Sequence, residues 1–100
     1  MATLTIVYWR DIPAQVIVKR GRETAKRQLA ERFEKAIDRA AMRAGKKDTD
    51  SYLAEWRRGD PVPCSDALEE EASAYAARLE AEYPDERLAA MVASGGVASS

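Results

Sequence analysis

The sequence predicts an α+β domain in which an N-terminal two-stranded antiparallel β-hairpin is followed by one long and three shorter α-helices. Three observations carry that expectation. Residues 3–19 hold two β-branched and aromatic runs, Thr3 to Trp9 and Gln15 to Lys19, around a five-residue connection. From Arg22 onward the apolar period changes from two to about 3.6. Gly45, Gly59 and Pro84 then punctuate the helical part. With no internal repeat and no linker, residues 1–94 form one domain with a single core, and residues 95–100 form a flexible tail.

The hairpin spans about residues 3–19, with Arg10-Asp11-Ile12-Pro13-Ala14 as its connection. Side chains alternate along a strand, so Leu4, Ile6 and Tyr8 point one way and Val7 and Trp9 the other. Both faces are apolar. A two-stranded hairpin is marginal alone, so each face needs a cover from a helix or from a partner.

The first helix is expected over about 22–44. Leu29, Phe33, Ala36, Ile37, Ala40 and Ala41 fall on one stripe, while Lys26, Arg27, Glu31, Glu34, Lys35, Asp38 and Arg39 fall largely off it. Glu23 with Arg27 and Glu31 with Lys35 are acid-before-base pairs four apart. Gly45, followed by Lys46 and Lys47, supplies a stop. A second helix over about 49–58 opens on Asp48 or Thr49 as cap, carries Tyr52, Leu53 and Trp56, and closes at Gly59. Asp60 to Asp66 is a rigid, extended turn because Pro61 and Pro63 fix the backbone. Asp66 with Glu69 has the form of an acidic capping box for a third helix over about 66–82, and Pro84 starts a fourth over about 84–93.

Composition narrows the function. Charged residues are 33% of the chain, yet the net charge is −1, which lacks the basic excess of a protein built to hold nucleic acid. The absence of histidine removes Ser-His-Asp and Cys-His catalysis and the usual zinc sites from the chain itself. The single cysteine, Cys64, excludes an intramolecular disulfide and a Cys-rich metal site. No cofactor or metal is expected. No run is long enough to span a bilayer and no export signal is evident, so the expected location is cytoplasmic, away from membranes.

Two groups of residues are candidates for binding. In the hairpin loop, Trp9 either stacks on a partner or ligand ring, with Arg10 adding a charge-assisted contact, or packs beneath a helix while Arg10 pairs with Asp11 or a glutamate; Pro13 stiffens the loop. At the entrance to the first helix, Lys19, Arg20, Arg22, Lys26 and Arg27 either meet an anionic ligand or acidic surface, or form a solvated face paired with Glu23 and Glu31. Cys64 precedes a helix start, but Asp66 and Glu69 stand nearby and no base is available, so it reads as passive. Glu69-Glu70-Glu71 do not converge on one point and form a solvated acidic face.

The segment Tyr8-Trp-Arg-Asp-Ile-Pro-Ala-Gln-Val16 with Lys19-Arg-Gly-Arg22, and more loosely Tyr52-Leu-Ala-Glu-Trp56 and Pro61-Val-Pro63, resembles a family of small bacterial domains called virulence factor. That domain is shared with a larger conserved virulence factor carrying scaffold-like and helical-repeat segments, and this chain resembles the stand-alone form. No established activity or active-site residues come with the resemblance. What it implies is an accessory subunit in one-carbon metabolism, since stand-alone relatives tend to be encoded near enzymes of tetrahydrofolate and corrinoid methyl transfer.

The expected function is therefore a non-catalytic accessory or protein-interaction module, docking to a larger enzyme subunit or to a second copy through the hairpin. One alternative is a binding protein or enzyme subunit for a small anion such as folate or phosphate, using Arg10 and the Lys19 to Arg27 cations. A nucleic-acid-binding module ranks below both.

Overall fold

Strand alternation does not stop at Gly21. A computed structural model of the protein, which describes residues 2–46 and 48–97, places five strands in one antiparallel sheet where the sequence suggests two. β1 (Ala2–Trp9) pairs with β2 (Ile12–Arg20), and β2 pairs on its other edge with β3 (Glu23–Gln28). Two three-residue strands, β4 (Trp56–Arg58) and β5 (Val62–Cys64), share the remaining edge of β1. The fold is α+β as expected, but its sheet is a five-stranded one.

The physical reason is the free edge of β2. A buried strand with open backbone groups gains from a neighbour, and tertiary pairing overrides the helix propensity of Glu23 to Gln28, in which every residue but Thr24 is a good helix former. Arg20 and Glu23 close the β2–β3 hairpin over Gly21-Arg22, with Gly21 at φ +57°, the positive value a tight hairpin turn needs. Only Ala25 of β3 is buried, so the segment offers little apolar periodicity of its own. The first hairpin is also tighter than expected. Trp9 faces Ile12 across the two-residue turn Arg10-Asp11, and Pro13 belongs to β2. A bulge leaves Ala14 without a partner, because Val7 faces Gln15 while Tyr8 faces Pro13.

Four helices complete the chain: α1 (Glu31–Arg43), α2 (Thr49–Ala54), α3 (Leu68–Glu82) and α4 (Asp85–Ala93). The expected first helix thus begins nine residues late, and the second gives way to β4 after Ala54. The stripe from Leu29 to Ala41 is buried as expected. Asp48 caps α2, its Oδ2 accepting the Ser51 amide at 3.1 Å, and Gly45 ends α1 at φ +74°. Lys47 lies outside the described residues. Asp66 does not cap α3; its carboxylate lies 3.5 Å from Arg20 instead. Arg32 takes over the other end of α3, donating to the Glu80 carbonyl at 2.6 Å and to the Tyr83 carbonyl, where a cation complements the helix dipole.

The two sheet faces fare differently. Leu4, Val18 and Ala25 form one row across the strands, and Ile6 and Val16 stand in the next, all beneath α3, whose Ala72, Ala76 and Leu79 are buried. α1 packs on β2 and against α4. Gly95 and Gly96, expected in a loose tail, are buried, and the Gly96 carbonyl accepts the Asp11 amide at 2.9 Å. Residues 98–100 lie outside the described residues.

Candidate functional site

The hairpin loop is built into the fold. Trp9 is 0% exposed, donates its indole Nε1 to the Tyr52 carbonyl at 2.9 Å and stacks on the Tyr52 ring with centroids 5.8 Å apart. It therefore has no ring to offer a partner, which corrects the docking role considered for it. Pro13 is fully buried as well. Arg10, at φ +53°, donates to the Gly95 carbonyl at 3.0 Å and to Glu55 Oε2 at 3.2 Å. Asp11 Oδ1 accepts from Arg57 Nη2 at 3.1 Å, and Arg57 also donates to the Arg10 carbonyl and lies over the Tyr8 ring. These contacts staple the turn to the α2–β4 junction and to the segment after α4.

The five basic residues do not form one cluster. Because 19–27 runs through two strands rather than into a helix, alternation sends them different ways. Arg20 pairs with Glu23 at 3.1 Å and Asp66 at 3.5 Å, and Arg27, on the α3 side, donates to Ser73 Oγ at 2.7 Å. Arg22 sits exposed in the turn. Lys19 and Lys26 stand on the opposite face.

That face is open. Its first row across β1, β2 and β3 is Thr3, Lys19 and Thr24; its second is Thr5, Ile17 and Lys26; its third is Val7, Gln15 and Gln28. Arg58 of β4 continues the third row beyond Val7. Each of these ten side chains is half-buried or exposed, and none is a carboxylate. A cavity of about 250 Å³ opens between Lys19, Lys26 and Arg58, with Ile17 and the three threonines as its other walls. Among the described residues, these three cations take part in no ion pair, although their neighbours Arg20 and Arg57 do. Sequence reasoning missed Arg58 and the threonines. The signal was present in the Thr3, Thr5 alternation and in Trp56-Arg57-Arg58, an aromatic-led run hidden by the expectation of a helix through 58.

Beyond Gln28 a second cavity of about 240 Å³ is lined by Tyr52, Trp56, Ile37, Glu34 and Asp38. Burial, then the charges of Asp38 and Glu34, push the Tyr52 hydroxyl above its ordinary pKa. Tyr52, Trp56, Tyr75 and Tyr83 all pack half-buried against the core, whereas Leu53 of α2 is 57% exposed.

Burial, followed by the Glu71 and Asp66 charges, raises the pKa of the Cys64 thiol, which disfavours a thiolate nucleophile. Among the described residues, no group of three Cys, Asp or Glu side chains is placed to hold a metal ion. No helix among them is long and apolar enough to cross a membrane.

In comparison with known proteins, the model of the family described as "Virulence factor" matches residues 7–92. No curated protein and no solved structure matches the chain.

Proposed function

The chain belongs to the virulence factor family, and we propose that, as a member of it, this protein is a non-catalytic accessory module that docks to a larger cytoplasmic enzyme through the open face of its sheet. The one-carbon methyl-transfer setting implied by the sequence resemblance supplies the enzyme class to try first. The observation that carries the proposal is the asymmetry of the sheet. α3 seals the Leu4, Ile6, Val16 and Val18 face, while the Thr5, Val7 and Ile17 face is left half-exposed. A half-exposed isoleucine and valine ringed by hydroxyls and cations have the make-up of an interface, an apolar centre with a polar rim.

The face is a better dock than either edge. β3 presents Glu23, Lys26 and Arg27 along its length, and the β4–β5 edge is broken at Pro61 and Pro63, both devices that discourage strand addition. A small-anion site built on Arg10 has less support, because Arg10 is already bonded to Glu55 and Gly95. Nucleic acid has less support as well, since no aromatic ring stands among the ten residues of the open face on which a base would stack.

The test is affinity capture with the native protein and with Ile17→Glu, which plants a charge at the centre of the face. The expected result is a specific enzyme retained by the native protein and lost from the variant, at equal melting temperature. A native protein that stays a strict monomer and retains nothing overturns the proposal.

A further inference from the structure

Lys19, Lys26 and Arg58 reach the open face from three different strands, and no carboxylate lines the cavity between them. Three like charges over one cavity repel one another. Other cations beside the sheet are met internally, Arg20 by Glu23 and Asp66 and Arg57 by Asp11, whereas exposed single cations such as Arg39 and Arg43 stand apart; what distinguishes Lys19, Lys26 and Arg58 is that they share one cavity. The hydroxyls of Thr3, Thr5 and Thr24 add three donors of the kind that complete a carboxylate's hydrogen bonds.

Size and spacing select among anions. At about 4.8 Å per strand, Lys26 on β3 and Arg58 on β4 rise from backbones roughly 14 Å apart. A single phosphate meets only part of that spread, whereas several carboxylates along an extended chain match it. The cavity, about 250 Å³, also falls below the ~300–1,000 Å³ typical of a pocket that buries a small molecule.

We infer that Lys19, Lys26 and Arg58, with the hydroxyls of Thr3, Thr5 and Thr24, receive an extended Asp/Glu-rich segment of the protein partner. The inference rests on the docking role proposed above and names the chemistry of what docks.

Fluorescence anisotropy with a labelled hexaglutamate peptide at low salt tests it. The native protein is expected to bind the peptide, with affinity falling as salt rises. The double variant Lys26→Ala, Arg58→Ala is expected to lose roughly tenfold or more, the equivalent of one good contact. Arg39→Ala, Arg43→Ala removes the same charge from exposed positions of α1 and is expected to leave binding unchanged. Equal loss in both double variants, or no binding by the native protein, overturns the inference. So does preferential binding of inorganic phosphate or oligothymidylate over hexaglutamate. If Ile17→Glu abolishes enzyme capture but Lys26→Ala, Arg58→Ala does not, the acidic segment is excluded and the docking face stands. If hexaglutamate binds at the patch but no enzyme is captured, the anion chemistry stands and the docking role falls.

Discussion

The Trp9 indole and Tyr52 are joined twice: Nε1 donates to the Tyr52 carbonyl at 2.9 Å, and the two rings stack with centroids 5.8 Å apart. This single residue pair fastens the end of β1 to α2, a helix of six residues with no buried side chain of its own. Trp9→Phe keeps most of the volume and leaves the carbonyl with only the Glu55 amide, at 3.3 Å, so a loss of about 1 kcal/mol is expected. Trp9→Ala adds a cavity and should cost about 3–5 kcal/mol. Tyr52→Ala keeps the carbonyl and removes only the ring, and it should cost less than Trp9→Ala. Urea denaturation of the three variants checks the order; a Trp9→Ala protein as stable as the native one would contradict the burial of this ring.

Gly96 closes over the same indole. A Cβ added there would lie 2.7 Å from Trp9 Cζ3, and its φ of +94° is one that L side chains rarely adopt. Strain and overpacking add, so Gly96→Ala is expected to destabilise by about 2 kcal/mol or more. Thermal denaturation decides: an unchanged melting temperature would mean that the segment after α4 does not seat on Trp9.

Glu23 to Gln28 is a strand at the edge of a sheet, and its amides should report that. In an antiparallel edge strand every second amide faces its neighbour, so hydrogen exchange across 23–28 should alternate between protected and fast positions. Uniform protection running on into α1 would instead indicate one continuous helix.

Much of this fold was legible in the sequence because it rests on local signals. The Leu29 to Ala41 stripe, the Asp48 cap, the Gly45 stop and the break at Pro84 each follow from a period or a single residue's backbone preference. What was not legible depends on pairing over distance. Glu23 to Gln28 lacks apolar alternation and is a strand because β2 has an edge to fill; only Gly21, at the first position of a two-residue turn, announced it. Trp56 to Arg58 follows a genuine helix start and becomes a strand because β1 has its own open edge. The candidate site shares this history. Lys19 and Lys26 were visible as charges, but assigning residues 22–28 to a helix placed them beside Arg20 and Arg27, and the sheet puts them on the other face with Arg58.

Cys64 gives a chemical check on the β5 edge. Burial and the nearby Glu71 and Asp66 charges raise its pKa, so less thiolate is present at neutral pH than for a free thiol. Alkylation by iodoacetamide near pH 8 should run slower than that of free cysteine, and Cys64→Ser should leave enzyme capture intact. A rate equal to or above that of the free thiol would show an activated cysteine and reopen a catalytic role.

Glu55 sets the acid limit of the loop network. Its carboxylate accepts from Arg10 at 3.2 Å and lies 3.4 Å from Lys46, and the Arg10 hydrogen bond, ahead of the Lys46 contacts, holds its pKa below the ordinary 4.5. A depressed folded pKa means that the unfolded chain binds the proton more readily. The stabilisation is therefore complete above the ordinary carboxyl value and is lost as pH falls below it through the folded value. In Glu55→Gln the charge is absent at every pH, so this part of the pH dependence should vanish. The native protein should be the more stable of the two near neutrality, and the difference should shrink as pH drops below about 4.5. Urea midpoints for both proteins across that window measure it directly. Parallel pH curves for native protein and variant would mean that the Arg10, Lys46 and Glu55 contacts do not form in solution, and that the positive-φ turn at Arg10 is held only by its backbone partners and by Gly95.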